Sequence, residues 1–206
     1  MHQTRKASTT KLPIPRKGTK YIVRAAGYVD SSVPVLIAVR DMLKLAKTSK
    51  EVKNLVHNRL LKLNGKAVKD YHESIKLFNL FEAGKTYALS ILPSGKFTFV
   101  ETKNKNSRLC KITGKRMIGK NLFQFNLHDG SNITDKNTFT IGDSVYLSLD
   151  GKVVKTIPLK EGSDVFIMSG RHIGKEGKAG SMSGNRILVN FKENSAQIEK
   201  SRVVAL

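Results

Sequence analysis

Acidic residues are scarce in this chain. Its 206 residues include 16 Asp and Glu against 37 Lys and Arg, giving a formal net charge of +21 and a pI near 10.2. Such an excess attracts polyanions, with nucleic acid the leading partner and an anionic membrane a poor second. Cysteine is nearly absent: Cys110 stands alone, which excludes an internal disulfide and a cysteine-rich zinc site and suits a reducing, cytoplasmic setting. There is no Trp. No apolar run reaches the roughly 18 residues that a transmembrane helix requires. The basic N-terminus is followed by no apolar core region, so no secretory signal is expected.

Patterns that carry chemistry are also missing. His2, His57, His72, His128 and His172 are scattered, with no pair at helical metal spacing. His128-Asp129 reads as a turn rather than a catalytic pair, and Cys110 lies in a strand pattern without a nearby His, so it reads as a packed thiol. Asp70, Asp129, Asp135, Asp143, Asp150 and Asp164 mostly neighbour Gly, Asn or Ser and read as turn residues. No G-x-G-x-x-G opens a helix and no Walker lysine appears. The chain therefore reads as no enzyme. No catalytic residue, metal site, cofactor or small-molecule substrate is expected.

What is present is a foldable, basic chain. Hydrophobic residues make up 39%, too many for a wholly disordered tail. The length allows one or two domains, or several very small modules. The most informative stretch is Val33 to Asp70. Pro34 suits the start of a helix, and Val35, Val39, Met42 and Ala46 recur at steps of three or four, predicting one apolar face. Arg40, Lys44 and Lys47 recur at the same steps as a basic stripe. Thr48-x-x-Glu51 is a capping box that starts a second helix, with Val52, Leu55 and Val56 on its apolar face. Leu60 to Leu63 predicts a strand, Asn64-Gly65 a two-residue hairpin turn and Lys66 to Lys69 the return. This register sets Leu61 opposite Val68 and points Lys62 the other way. From Arg40 to Lys76 there are ten Lys or Arg against four acids, an electrostatic footprint for a phosphate backbone.

This order of helix, T-x-x-E helix, basic loop and L-x-L-N-G-K-x-V resembles the small RNA-binding domain named after bacterial ribosomal protein S-four. The wider chain resembles the archaeal and eukaryotic ribosomal protein S-four-e family. Pro13 to Val23, PIPRKGTKYIV, is similar to that family's N-terminal segment, with Tyr21 where Trp is expected. Arg108 to Lys115, RLCKITGK, followed by HDGSN, is similar to its β-rich middle. Asp164 to Ala179, DVFIMSGRHIGKEGKA, resembles a KOW motif: an apolar strand, a Gly-centred turn, basic residues and a return strand. Gly170, Gly174 and Gly177 supply the positive φ or close approach such a turn requires.

The rest of the chain is read as arm and hairpins. Met1 to Val29 contains seven Lys or Arg, no acid and little to build a core, so it is expected to order on RNA. Strands are expected over Ala83 to Leu92, Lys96 to Val100, Leu109 to Thr113, Leu122 to Leu127, Val145 to Leu149, Val153 to Ile157, Val165 to Met168, Ile187 to Phe191 and Gln197 to Val204. A polar loop is expected over Glu101 to Arg108 and a turn at Gly114, Lys115 and Arg116. Ala179 to Gly184 reads as an insertion-like stretch.

The expected fold class is α+β. A basic arm over 1–30 precedes an S-four-type RNA-binding domain of two helices plus a hairpin over 31–92. A barrel-like central β domain over 93–160 and an SH3-like KOW β-barrel over 161–206 follow. The resemblance implies a structural constituent of the small ribosomal subunit, of archaeal type, located in the cytoplasm. Its implied partners are small-subunit rRNA and neighbouring small-subunit proteins, with no membrane. The expected rRNA contacts are Arg16, Lys17 and Lys20 in the arm. Arg40, Lys44, Lys47, Lys50, Lys53, Arg59, Lys62 and Lys66 follow in the small domain, and Arg171, Lys175 and Lys178 in the KOW loop. Alternatives are a free RNA-binding regulator or RNA chaperone, or a KOW-type transcription elongation factor. A pseudouridine synthase can carry the same small domain but needs a separate catalytic domain, which the short basic remainder does not supply.

Overall fold

Asn64 and Gly65 both take positive φ, 51° and 79°, the pairing a two-residue turn of the hairpin type demands. Leu61–Leu63 and Lys66–Ala67 pair across it, and the Val68 N–H donates to the Leu61 carbonyl at 3.0 Å. Leu61 and Val68 are buried while Lys62 is exposed, as the alternation predicts. The computed structural model describes residues 1–102, 104–120, 122–191 and 194–206. It divides into two units, Met1–Lys105 and Asn106–Leu206. The chain is β-rich with short helical segments, its strands pairing antiparallel in several sheets.

In the first unit the hairpin extends into a five-stranded sheet. Leu61–Leu63 pairs with Leu80–Ala83, which pairs with Lys85–Ile91, which pairs with Phe97–Glu101. The last two strands form the hairpin expected around Pro93-Ser94-Gly95, with Gly95 at φ 79°. The second helix, Ser49–His57, starts where the capping box predicts. The Glu51 N–H donates to the Thr48 hydroxyl at 3.3 Å, and the Glu51 carboxylate accepts from the Lys47 N–H at 2.8 Å. The Lys47 amide first, then the Thr48 hydroxyl that donates to the carboxylate at 3.0 Å, hold the Glu51 carboxyl below its ordinary pKa.

The first helix departs from its expected amphipathic form. Val35–Ile37 makes a single α turn, and Ala38–Met42 widens into a π turn closed by the Leu43 N–H on the Ala38 carbonyl at 2.9 Å. Every residue from Val35 to Val39 is buried. The segment threads the middle of the unit, with its leading N–H groups taken by neighbouring backbone: Val35 donates to Glu73 and Leu36 to Tyr71, each at 3.0 Å. A segment surrounded on all sides needs apolar residues all round. Lys44 sits at φ 55° just past the helix. The stripe of Arg40, Lys44 and Lys47 is therefore not a helical face: Arg40 lies in the π turn and the two lysines in the loop after it.

The N-terminal arm is folded. His2–Thr4 pairs with Tyr21–Val23 as a two-stranded ribbon, Leu12 and Ala25 are buried, and the Phe97 N–H donates to the Lys11 carbonyl at 2.9 Å. Arg5 clasps the ribbon's connecting loop, donating to the Thr19 carbonyl at 2.8 Å and the Pro15 carbonyl at 2.6 Å.

The second unit holds two five-stranded sheets. In the first, Ser107–Gly119 is central, flanked by Leu122–Leu127 and Ser144–Ser148, with Asn132–Asp135 and Val153–Ile157 outermost. The turn expected at Gly114 to Arg116 is absent. The strand continues through these residues with register shifts at Ile112/Gly114 and Met117/Gly119. Gly114 sits at the first of these shifts, where a Cβ would lie 3.3 Å from the Asn126 side chain, so the glycine marks a bulge and close approach. Lys103, within the polar loop expected over 101–108, lies outside the described residues. Of that loop's ends, Glu101 and Ser107 are in strands.

The second sheet orders Ser195–Glu199, Arg186–Asn190, Glu176–Ser183, Asp164–Ile167 and Val203–Ala205. The insertion-like stretch from Ala179 is strand, with a register shift between Ala179 and Met182 and the reversal at Gly184, φ 54°. The strand expected over Gln197 to Val204 is interrupted by a 3₁₀ turn, Lys200–Arg202.

Candidate nucleic-acid interface

Most of the basic residues named from sequence point into solvent. Arg16, Lys17, Lys20, Lys44, Lys47, Lys50, Lys53, Arg59, Lys62 and Lys66 are exposed in the first unit; Arg171, Lys175 and Lys178 are exposed in the second. Arg40 is half-buried and committed. Its guanidinium forks onto Asp41 at 3.0 and 2.8 Å, with Ser49 Oγ at 3.4 Å. Lys62 approaches Glu82 at 3.9 Å, a surface pair that stabilises little. Among the described residues the remaining named cations form no ion pair, so their charge is available to a polyanion.

Local structure sets where each cation stands. Lys50 and Lys53 ride the second helix, anchored by buried Val52 and Val56. Lys62 and Lys66 flank the Asn64-Gly65 turn, and Arg59, at φ 56°, follows the helix end. Arg16, Lys17 and Lys20 lie between the ribbon strands. The trio in the second unit is not one cluster. Arg171 lines a cleft with Arg186 and Arg202, whereas Lys178 lines another with Phe191. Lys175 stands 5.8 Å from the Phe191 ring centroid.

Sequence reasoning missed several members of these clefts. In the first unit a cleft of about 370 Å³ is lined by Arg5, Tyr21, Arg40, Lys53, Tyr71 and His72 among others. Tyr21 and Tyr71 are fifty positions apart, and only the fold brings them together. In the second unit Arg186 and Arg202 line the same cleft as Arg171, and Arg202 is paired with Glu199 at 3.1 Å. Their positions on neighbouring β elements give no linear motif.

The groups that come nearest to a catalytic cluster carry structure instead. The Arg108 guanidinium meets the Asp129 carboxylate at 2.6 Å, and Asp129 also accepts from the Ser131 N–H at 2.9 Å and hydroxyl at 2.6 Å. Burial alone would raise the Asp129 pKa; the Ser131 hydrogen bonds and the Arg108 charge outweigh it and hold it below the ordinary value. Cys110 Sγ lies 3.9 Å from Asp129. Burial, with that carboxylate beside it, pushes the thiol up to about 12, so it is not a nucleophile at neutral pH.

Lys111 is the other buried charge. It is 2% exposed, and its ammonium donates to the carbonyls of Lys200, Ser201 (2.9 Å) and Val203 (2.6 Å). Burial lowers its pKa to about 8, which leaves it cationic at neutral pH. It joins the first sheet of this unit to the 3₁₀ turn and last strand of the second.

The sequence pattern of ribosomal family S4e matches residues 83–154. The small ribosomal subunit protein eS4 of Archaeoglobus fulgidus is 30% identical over 184 residues, covering 86% of this chain and 78% of that protein. Its counterpart from Methanocella arvoryzae is 29% identical over 184 residues, covering 86% and 79%. The crystal structure of the 30S ribosomal protein S4e from Thermoplasma acidophilum superposes with a TM-score of 0.73 at 25% identity, covering 86% of this chain and 95% of that one.

Proposed function

Since the chain belongs to ribosomal family S4e, we propose that it works as a structural constituent of the small ribosomal subunit, binding folded rRNA through its basic surfaces. It is not an enzyme. Its partners are small-subunit rRNA and neighbouring small-subunit proteins, in the cytoplasm. The observation that carries the reading is the match to named small-subunit proteins across most of both chains. The relatives lend no support to a free regulator, an RNA chaperone or an elongation factor.

The finer assignment is also ours. Residues 31–92 act as an S-four-type RNA-binding domain, preceded by the basic arm 1–30 and followed by a central β domain over 93–160, whose leading strand Phe97–Glu101 pairs into the sheet of the first unit. Residues 161–206 act as a KOW-type, SH3-like barrel. The exposed cations of the arm, the second helix and the Asn64-Gly65 hairpin supply the first-unit contacts. Arg171, Lys175 and Lys178 supply those of the second unit. Arg40, held by Asp41, contributes through its exposed edge. RNA helices are read this way, through backbone, 2′-hydroxyls and loop shape.

Ribosome fractionation tests the reading. The protein should co-sediment with small subunits and stay there in moderate salt. A predominantly free pool, or release at low salt, would remove the ribosomal assignment.

A further inference from the structure

The cleft of the first unit combines three features that single-stranded RNA uses. It has cations on its walls, Arg5, Arg40 and Lys53. It has two aromatic rings, Tyr21 and Tyr71. No Asp or Glu is among the residues lining it. Two carboxylates next in sequence to lining residues are already engaged, Asp41 by Arg40 at 2.8 Å and Asp70 by His72 at 2.9 Å.

The rings are held in place before any ligand arrives. Tyr71 packs on His72 with centroids 4.1 Å apart, and its carbonyl accepts from the Leu36 N–H at 3.0 Å. His72 is buried, and its own carbonyl accepts from Ala26 at 2.8 Å. Lys53 stands over the Tyr71 ring at 5.2 Å. Tyr21, half exposed, meets His2 edge-on at 4.9 Å, in the ribbon that Arg5 clasps. A ring beside a cation, on a rigid support, fits a base with its phosphate: the ring stacks and the cation takes the charge. A volume of about 370 Å³ suits one nucleotide rather than a duplex.

We propose that this cleft receives a single unpaired nucleotide of the bound RNA, its base stacked on Tyr71 or Tyr21 and its phosphate facing Lys53 and Arg5, the wall cations that no carboxylate neutralises. Specific RNA recognition favours such extruded bases at bulges and loops. The inference rests on the rRNA-binding reading and adds to it. The exposed lysines bind any phosphate backbone, whereas this cleft discriminates an unpaired base from a paired one.

The test uses the full chain and two labelled RNAs, a perfect duplex and the same duplex with one bulged nucleotide, titrated by fluorescence anisotropy at fixed salt. The bulged RNA should bind about tenfold tighter, the scale of one base on one aromatic ring. Alanine at the ring that carries the base, Tyr71→Ala or Tyr21→Ala, should abolish the preference and leave duplex affinity unchanged, while Phe at that position should keep it. Tyr21→Ala, at an exposed position, provides the same test should Tyr71→Ala fail to fold. Equal binding of the two RNAs by the wild type overturns the inference and leaves the rRNA reading intact. A preference that survives both alanine variants also overturns it. Failure to bind either RNA overturns the rRNA reading itself.

Discussion

Replacing Lys111 by methionine should lower the melting temperature of the second unit by about 10 °C or more. The methionine keeps most of the side-chain volume but removes the donor for three carbonyls, those of Lys200, Ser201 and Val203. A buried acceptor left without a donor costs about 1–3 kcal/mol. Relief from burying the ammonium offsets part of this, and a net loss of about 3 kcal/mol remains. For a unit of this size each kcal/mol moves the midpoint by about 4–8 °C. Hydrogen exchange at Val145 and Leu147 reads the effect locally. A midpoint that stays or rises would mean that the cost of burying the charge exceeds what its hydrogen bonds return.

The same lysine predicts a pH dependence. Its folded pKa is lowered to about 8, against about 10.4 in an unfolded chain. Between those values the unfolded chain holds the proton that the folded one has released, so stability rises with pH across that window. The rise should appear in the wild type and be missing from the Lys111→Met variant. A difference between the two that is flat from pH 8 to 10 would show that Lys111 is not the group responsible.

Affinity for rRNA fragments should fall about 10³- to 10⁵-fold between roughly 50 and 200 mM salt. That is the counterion-release expectation for about six to ten neutralised phosphates. The structure supplies enough candidates, because Lys44, Lys47, Lys50, Lys53, Arg59 and Lys66 are exposed and form no ion pair among the described residues. Replacing Lys50 and Lys53 together by Ala should flatten the log–log slope by about two at most, with little change in stability because both are exposed. A slope near zero in the wild type would show that the basic surface does not meet phosphate.

Local chemistry made the helix and hairpin of the first unit readable. Thr48 and Glu51 satisfy donors within one turn, and Asn64-Gly65 dictates its own reversal, so both could be placed from neighbours in sequence. Strand alternation was equally local: Leu61 in and Lys62 out needs only the pleat. The first helix was misjudged because a period of three or four looks the same whether one side or every side is covered. Burial of Leu36, Ile37 and Ala38 depends on distant segments. The arm was misjudged for the same reason. Leu12 and Ala25 look isolated in sequence, and their cover comes from the folded unit. Gly114 resembled a turn residue but serves a bulge opposite Asn126.

The cleft in the first unit was illegible because its two tyrosines and three cations come from separate segments. Lys111 did leave a trace. A lysine between Leu109, Cys110 and Ile112, in a stretch of strand buried on both sides, has nowhere to put its charge except onto a backbone partner.

Cys110 gives the chain an internal clock. As the single thiol, wholly buried and with its proton held to about 12, it can react with an alkylating reagent only while the second unit is open. Its labelling rate therefore tracks those openings, with no probe to attach and no competing thiol. The residue that looked chemically idle reports how often the Arg108–Asp129 pair beside it lets go.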